Sequence, residues 1–325
     1  MSQRIEFDFS TGRELPTSER YVLVNCLGEG GFGLVYAAEN IRLQSSVAIK
    51  FARDPIYDTR IVAEARAMAG LRSTHSVRIF DLDFFQNSRP FLVMELLEGR
   101  SLEKYLNDVG TVAPRVALEW LVQLCSSLNE IHGRGFVHCD IKPSNLHLAD
   151  QVHRGDHIKL IDFGAVRKFC GGKDASTSIH NLGSPAYLSP ERILTSNAQI
   201  TDDIWSLGVL LVQLLTGDLP FQGKDRSSLY SSILRDPPRI QCALRSGPHR
   251  QLLTIAARCL QKRVEDRFSC VDDLGVELSK VSQFETSENE ESHPQSGMRA
   301  VADCSAPISR ETECGTIDLP CAHSK

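Results

Sequence analysis

The chain has 325 residues, of which 42% are hydrophobic and 24% are charged. These are the proportions of a soluble globular protein, and the length favours two domains or one domain with two lobes. The formal net charge of −5 argues against a dedicated nucleic-acid-binding protein, so we expect no nucleic acid as a partner.

The start of the chain and its cysteines indicate the cellular compartment in which the protein is expected. Residues 1–9 contain no continuous apolar run of the kind found in a signal peptide. The most apolar stretch, residues 204–215, is too short to cross a bilayer and predicts a buried helix. None of the ten cysteines belongs to a C-x-x-C pair, which favours free thiols over a disulfide framework. We therefore expect a cytoplasmic protein without a membrane span.

A glycine-rich segment follows an alternating stretch that begins at Tyr21. Gly28, Gly30 and Gly33 have the spacing G-x-G-x-x-G, and glycine lets a turn approach phosphate groups closely. Dinucleotide-binding folds share this spacing, but there the glycine loop opens a helix. Here the alternation resumes from Val35, so the pattern predicts a strand, a glycine turn and a second strand.

The apolar segment 47–50 predicts a strand that ends in a single lysine, Lys50. Most lysines lie on the surface, which is the simplest alternative for this one. Between Lys50 and Glu95 the only glutamate is Glu64, within an alanine-rich segment (61–71) that favours helix.

Residues 91–99 predict a buried strand that runs into a linker. Two helical patterns follow, over Leu102–Leu106 and Pro114–His132. The second pattern is the longer one, so we expect it to form the spine of a larger lobe and to carry no chemistry.

The strongest chemical signal lies in two short segments. Asp140, Lys142 and Asn145 stand close together in the first, and Asp162 follows an apolar run in the second. Carboxylate and amide oxygens suit Mg²⁺, because hard cations prefer oxygen ligands. A further carboxylate beside a lysine can orient a hydroxyl group and neutralise charge, which is what phosphoryl transfer requires.

In their order along the chain, these segments resemble the motifs of eukaryotic-type (Hanks-type) serine/threonine protein kinases of the stand-alone bacterial kind. Residues 138–145 are similar to the catalytic loop H-R-D-x-x-x-x-N, and residues 162–164 match D-F-G. The family motif V-A-I-K is present at 47–50. Residues 183–191 are similar to a further family motif, G-T-P-x-Y-x-A-P-E. The resemblance covers roughly residues 21–281. It implies an α+β, two-lobed protein-kinase fold, with a small antiparallel-sheet N-lobe bearing one helix, a mainly helical C-lobe and ATP between them.

The resemblance also implies ATP and Mg²⁺ (or Mn²⁺) as cofactors and serine or threonine hydroxyl groups of proteins as acceptors. Asp140 would orient the acceptor hydroxyl, Lys142 would contact the γ-phosphate, and Asn145 and Asp162 would bind the metal. The implied nucleotide-binding residues are Leu27, Gly28, Gly30, Gly33, Val35, Ala48, Lys50, Glu64, Met94, Glu95, Leu97 and His147.

Within that set, Lys50 would hold the α- and β-phosphates and pair with Glu64. The separation of Lys50 from Glu64 is shorter than in many members of the family, which implies a short connection or a truncated helix. Met94 would be the gatekeeper, and Glu95 and Leu97 would offer backbone hydrogen bonds to adenine. The family further implies that Asp203 braces the catalytic loop from beneath. It also implies that Arg267 pairs with Glu191 in an architectural role.

Ser184 for Thr and Ser189 for Ala are conservative departures from the family, whereas those at Cys139 and His147 bear on function. Cys139 replaces the arginine that grips a phosphate on the activation segment, so phosphorylation of the candidate self-phosphorylation sites Ser176, Thr177 and Ser178 should matter less. A rival role for Cys139 as a redox-sensitive thiol needs a lowered pKa.

His147 stands where the family places Leu or Met beneath adenine. We expect its imidazole to face the adenine, with Leu146 and Leu148 pointing into the lobe. The alternative is that His147 turns to solvent and one of these leucines fills the floor of the pocket.

The expected organisation is an N-terminal extension (1–20) that could form one strand, a kinase domain (21–282) and a disordered acidic tail (283–325). Within the domain we expect an N-lobe at 21–94, a linker at 95–99 and a C-lobe at 100–282. The irregular gaps between Cys304, Cys314, Cys321 and His323 do not favour a zinc site in the tail.

Three other functions remain as alternatives. A catalytically dead pseudokinase would usually lack one of Lys50, Asp140, Asn145 or Asp162, and a small-molecule phosphotransferase would usually lack the S-P-E segment at 189–191. A dinucleotide oxidoreductase would need a helix directly after the glycine loop.

Overall fold

The computed structural model describes residues 7–8, 13–14, 18–30, 33–85, 88–149, 157–169, 184–195, 197–240 and 247–291, with residues 282–291 described by their backbone alone. Within these residues the chain forms a small lobe built on one sheet and a larger lobe built on helices. This is the two-lobed α+β architecture that the sequence predicts.

The small lobe contains a five-stranded antiparallel sheet in the order β3-β4-β5-β7-β6. Its strands are β3 (Tyr21–Glu29), β4 (Gly33–Asn40), β5 (Ser45–Ala52), β6 (Ile79–Phe84) and β7 (Pro90–Met94). Ile49 and Phe51 of β5 belong to an apolar cluster on one face, whereas Ala48 belongs to the core shared with the helices. Because side chains alternate along a strand, Lys50 lies on the same face as Ala48.

Helix α1 (Asp58–Met68) packs against β5, β6 and β7 and buries Ile61, Ala65 and Met68 in the shared core. A single 3-10 turn, Pro55–Tyr57, connects it to β5. The predicted short connection is therefore present, and it places the middle of α1 beside the face of the sheet that carries Lys50.

The larger lobe is mainly helical. Its helices are α2 (Leu102–Val109), α3 (Pro114–Gly133), α4 (Pro190–Thr195), α5 (Ile200–Thr216), α6 (Arg226–Arg235), α7 (Pro248–Cys259) and α8 (Val271–Glu291). Helix α3 packs against α5, α7 and α8, as expected of the spine of this lobe. Helix α5 is buried along most of its length, which confirms the prediction of a buried helix from its apolar sequence. Among the described residues, no helix is both long and apolar enough to cross a membrane.

The described residues also contain two small sheets. β8 (Gly99–Ser101), β10 (Leu146–Ala149) and β11 (His157–Leu160) form a three-stranded sheet in the order β11-β10-β8. β9 (Phe136–Val137) pairs with β12 (Arg167–Lys168). These pairings bring together the chain segments that contain the predicted catalytic residues.

The structure corrects two predictions at the ends of the chain. Residues 1–20 contain two paired strands, β1 (Phe7–Asp8) and β2 (Arg13–Glu14), where a single strand was considered. Helix α8 continues through 283–291, which was assigned to a disordered tail. This segment contains several helix-compatible glutamates and no proline before Pro294, so the helix has no local reason to end at residue 282.

The five described cysteines, Cys26, Cys125, Cys139, Cys259 and Cys270, are free thiols. This agrees with the prediction made from their spacing. Cys304, Cys314, Cys321 and His323 lie outside the described residues.

Gly208 lies in α5 where this helix packs against α7. A Cβ atom built on Gly208 would lie 2.6 Å from the Cβ of Cys259, which is closer than real side chains approach. At Gly275 in α8, the nearest neighbour of such a Cβ is Cys125 at 3.6 Å, an ordinary contact.

We therefore expect Gly208→Ala to lower the free energy of unfolding by about 1–3 kcal/mol, because α5 and α7 must move apart. Gly275→Ala should instead raise it by up to about 1 kcal/mol, because alanine is the better helix former. Chemical denaturation of both variants measures the two effects. Equal destabilisation by the two substitutions would contradict the packing argument.

Candidate active site

The pairing of β10 with β11 brings two predicted metal ligands side by side. Leu146 lies opposite Leu160, and just beyond this pair the backbone N–H of Ile161 donates to the carbonyl of Asn145 at 3.0 Å. Asn145 therefore lies next to the segment that contains Asp162. The two backbone segments that carry the predicted metal ligands are thus adjacent in space as well as ordered in the sequence.

Asp140 is the centre of a hydrogen-bonded group. The amide Nδ2 of Asn145 donates to the carboxylate Oδ2 and to the carbonyl of Asp140, both at 2.8 Å. Lys142 Nζ lies 2.8 Å from the same Oδ2 and donates to Ser184 Oγ, also at 2.8 Å. The backbone N–H of Ser184 donates to Asp140 Oδ1 at 3.0 Å. The carboxylate is consequently held in one orientation by both the catalytic loop and the segment before α4.

Asp203 supports this loop from within the larger lobe. Its carboxylate accepts the backbone N–H groups of His138 and Cys139, each at 2.8 Å, and lies 2.8 Å from Nε2 of His132. Cys139 has a backbone φ of 68°, in the left-handed region that non-glycine residues seldom adopt. The predicted brace by Asp203 is therefore present, and it holds a strained residue immediately before Asp140.

The side chain of Cys139 is buried, and its Sγ lies 3.5 Å from the carbonyl of Val137. Burial raises the pKa of this thiol, although two arginines, Arg192 and Arg167, oppose the rise. A redox-sensitive cysteine needs an accessible thiol with a lowered pKa. The rival role considered for Cys139 is therefore wrong for this structure.

Lys50 lies between two carboxylates. Its Nζ donates to Glu64 at 2.6 and 2.8 Å and to Oδ1 of Asp162 at 2.7 Å. Glu64 Oε1 also accepts the backbone N–H of Phe163 at 3.2 Å, and Asp162 Oδ1 accepts that of Gly164 at 2.9 Å. The predicted ion pair of Lys50 with Glu64 is present, and the structure adds Asp162 to it.

The electrostatics of this triad follow from burial and from its charges. Burial opposes the charge on Lys50, but Asp162 and Glu64 outweigh it and raise the pKa of the ammonium group. Burial would also raise the pKa of Asp162, but Lys50 and the N–H of Gly164 hold that pKa well below its usual range. Burial raises the pKa of Glu64 in spite of Lys50, and the neighbouring Asp162 adds to this rise. Because Lys50 is one cation shared by two acids, the triad has an excess of negative charge.

The glycine segment is a strand, a turn and a strand, as predicted, and not the start of a helix. β3 and β4 flank the turn, whose central residues Gly31 and Phe32 lie outside the described part of the chain. Gly28 pairs with Val35 across the two strands, and Leu27 is half-exposed. This topology contradicts the dinucleotide-binding alternative.

The linker after β7 has its own set of contacts. Met94, at the end of β7, is buried and pairs with Ala48 of β5. The N–H of Glu95 donates to Arg78, and its carboxylate pairs with Lys159 Nζ at 2.6 Å. Among the described residues, no hydrogen bond engages the carbonyl of Glu95 or the amide of Leu97, so these backbone groups remain open to the predicted hydrogen bonds with adenine.

His147 lies on β10 between two buried leucines, Leu146 and Leu148, which point into the lobe as expected. Its own side chain is half-buried, and Nε2 lies 3.1 Å from the carbonyl oxygen of Glu98 in the linker. The imidazole therefore reaches the segment that would border the adenine. That it faces adenine stays a prediction.

The segment that precedes α5 is fixed by buried polar contacts. Arg267 donates to both carboxylate oxygens of Glu191, so the predicted pair is present in a bidentate arrangement. Ser189 Oγ donates to Asp202 Oδ1 at 2.5 Å. Burial raises the pKa of Asp202 to about 7, although the bond from Ser189 opposes the rise.

Sequence reasoning missed two features of the site. The contacts of Ser184 with Lys142 and Asp140 were not predicted, although its place in the 183–191 motif was the available signal. The ion pair of Lys159 with Glu95 had no local signal, because it joins residues far apart in the chain. Ser176, Thr177 and Ser178 lie outside the described residues.

Comparison with known proteins adds a separate line of evidence. A family model described as a protein kinase domain matches residues 21–276, which is most of the chain. The chain belongs to the protein kinase family. The match begins at the first strand of the five-stranded sheet and ends within α8, so both lobes are included.

The relatives of the chain include bacterial kinases. The serine/threonine-protein kinase PknL of Mycobacterium tuberculosis is 34% identical over 270 residues, which cover 81% of this chain and 66% of PknL. The serine/threonine-protein kinase PknB of Mycobacterium leprae is 30% identical over 272 residues, covering 81% of this chain and 43% of PknB. PknB of Mycobacterium tuberculosis is 30% identical over 280 residues, covering 83% and 44%.

The chain therefore spans less than two thirds of the length of these relatives. Within that span, the predicted resemblance to Hanks-type serine/threonine kinases is confirmed.

Proposed function

We propose that this protein transfers the γ-phosphate of ATP to serine or threonine hydroxyl groups of protein substrates. The observation that carries the proposal is the contact of Lys50 with both Glu64 and Asp162, close to the group formed by Asp140, Lys142 and Asn145. Phosphoryl transfer depends mainly on positioning and on charge stabilisation, and these residues supply both.

The residues fit a divalent cation. The triad of Lys50, Glu64 and Asp162 has two acids for one base, so a second cation would balance its charge. Among the described residues, only Oδ1 of Asp162 is engaged, and Asn145 uses its Nδ2 towards Asp140. Oδ2 of Asp162 and Oδ1 of Asn145 remain as the hard oxygen ligands that Mg²⁺ or Mn²⁺ prefers. When bound, the metal would neutralise charge on the phosphate oxygens.

The glycine segment fits a nucleotide. A Cβ built on Gly28 meets nothing within 4 Å, and one built on Gly30 meets only the carbonyl of Gly33 at 3.7 Å. Neither glycine has a positive φ. The fold itself therefore does not require glycine at these two positions, which supports a requirement set by a ligand that approaches the backbone.

In this proposal each polar group of the catalytic loop has one task. Asp140 orients the acceptor hydroxyl and receives its proton, which its fixed position favours. Lys142 neutralises charge on the transferred phosphate. Ser184 fixes the positions of Lys142 and Asp140 relative to each other through one hydrogen bond with each.

The acceptor class and the setting belong to the same proposal. Lys142, two residues after Asp140, is typical of the serine/threonine branch, and the relatives named above carry that name. The presence of Lys50, Asp140, Asn145 and Asp162 argues against a catalytically dead scaffold. The expected division into 1–20, 21–282 and 283–325, amended at α8, and the cytoplasmic location are also proposals.

We expect Lys50→Met, Asp140→Asn and Asp162→Ala each to lower the rate of transfer by roughly 100-fold or more, because each removes charge placed for the transition state. Radiolabelled phosphate transfer from ATP to casein or to the protein itself measures the rate. Lys280→Met and Asp272→Asn, on the remote helix α8, serve as matched controls of the same charge change. Substantial transfer by Asp140→Asn would remove its assigned role, and no transfer by the wild-type protein would overturn the proposal.

We also expect the enzyme to retain most of its activity when Ser176, Thr177 and Ser178 are all changed to Ala. Cys139 is neutral and buried, so it cannot pair with a phosphate on the activation segment. Steady-state kinetics of the triple variant and of phosphatase-treated wild-type protein measure the effect. Loss of activity in both samples would mean that another cation binds a phosphate on the activation segment.

His147 gives a prediction about nucleotide affinity. A half-buried imidazole beside adenine favours the neutral form, because desolvation penalises the charged one. The KM for ATP should therefore rise as the pH falls through the range in which histidine side chains titrate. His147→Leu should remove this rise and leave kcat unchanged. Profiles of KM against pH that coincide for the two proteins would leave His147 without a role in the pocket.

A further inference from the structure

The loop between α1 and β6 is held by one face of α3. Ser127, Glu130 and Arg134 stand three and four residues apart, so they share a side of this helix and its end. They bind the loop formed by residues 69–76, which directly follows the helix that carries Glu64.

Arg134 binds the end of α1. Its Nη1 donates to the carbonyl of Ala69 at 2.5 Å, and its Nη2 donates to that of Gly70. The last carbonyls of a helix have no partner within the helix, and they carry the negative end of its dipole. The carbonyls of Ala69 and Gly70 directly follow α1, so the guanidinium of Arg134 places a positive charge beside the negative end of this helix.

Glu130 binds the next turn of the loop. Its carboxylate accepts the N–H of Arg72 at 2.8 and 3.0 Å and that of Ser73 at 2.8 Å. Ser76 Oγ then lies 2.5 Å from Ser127 Oγ, and both residues are buried. The cation of Arg134 therefore binds the carbonyl groups of this loop, and the anion of Glu130 binds its N–H groups.

Gly70 suits the contact between this loop and Arg134. Its φ is +77°, in the left-handed region, and a Cβ there would lie 3.1 Å from Nη2 of Arg134. At its other end, α1 is tied to the small lobe, because Arg89 donates to the Asp58 carboxylate at 2.9 Å and to the carbonyl of Ala52 at 2.6 Å. The two ends of α1 are therefore attached to different lobes, with Glu64 between them.

We infer that Glu130 and Arg134 are positioning residues for phosphoryl transfer, which keep Glu64 in contact with Lys50 by fixing the end of α1 to the larger lobe. The inference rests on the proposed function. Neither residue touches the reacting groups, and each acts only through Glu64. A small displacement of α1 would separate Glu64 from Lys50 and from the N–H of Phe163, and reacting groups tolerate little displacement.

The first test is kinetic. Arg134→Ala should lower kcat about tenfold or more with a smaller change in the KM for ATP. Arg134→Lys, which keeps the charge and can reach one carbonyl, should restore part of the loss. The exposed pair Arg115 and Glu119 on the same helix provides matched controls, and Arg115→Ala and Glu119→Gln should leave kcat unchanged.

A double-mutant cycle with Glu64→Gln separates positioning from general stability. If Arg134 acts through Glu64, then Arg134→Ala should add little to the loss already caused by Glu64→Gln. Multiplication of the two losses would overturn the inference. Should Arg134→Ala fail to fold, Arg134→Lys and Glu130→Gln are used in the same cycle with the same two outcomes.

The second test does not depend on activity. The N–H of Phe163 is bonded to Glu64, so hydrogen exchange in the peptide that contains it reports the position of α1. Arg134→Ala should speed this exchange, and Arg115→Ala should not. Equal exchange in the two variants would overturn the inference. Absence of transfer by the wild-type protein would overturn the proposed function instead, while the exchange experiment would still decide the role of Arg134.

Discussion

The ammonium group of Lys50 holds three parts of the fold in one arrangement. Lys50 belongs to β5, Glu64 to α1, and Asp162 to the segment after β11, so a single buried cation joins the sheet, the helix and that segment. A buried charge that loses its partner costs about 3–5 kcal/mol. Any movement of one part that breaks these contacts is therefore opposed by the other two.

A second buried carboxylate has the corresponding task in the larger lobe. Asp203 is almost completely inaccessible, and its acceptor capacity is used by two backbone N–H groups and by His132. A non-glycine residue in the left-handed region costs of the order of 1–3 kcal/mol, so Cys139 keeps this conformation only because its surroundings impose it. The bond from Asp203 to the N–H of Cys139 is one such restraint. The orientation of Asp140, the next residue, follows from it.

The sequence predicted those features that depend on short-range patterns or on unique candidates. Alternation identified the strands on both sides of the glycine turn, and the apolar run of α5 identified a buried helix. Glu64 was found because no other glutamate precedes Glu95 after Lys50. The attachment of α1 to Arg134 was beyond reach, because a surface arginine at the end of a helix has no local sign of its partner. The same holds for Lys159 and Glu95, which meet only after the strands have paired.

The neutral residue at position 139 is consistent with the way the larger lobe holds the segment before α5. Glu191 is fixed by two bonds from Arg267, and Ser189 by its bond to Asp202, so this segment is anchored by groups already present in the fold. The pKa of Asp202 is raised to about 7 by burial. Protonation of this group therefore favours the folded state below its unfolded pKa, and that contribution is lost as the pH rises through 7. Near neutral pH the Asp202 carboxyl is therefore partly protonated. It accepts the hydrogen bond from Ser189 without carrying a full buried charge. Residues 189–191 are thus held in place without a charge at position 139.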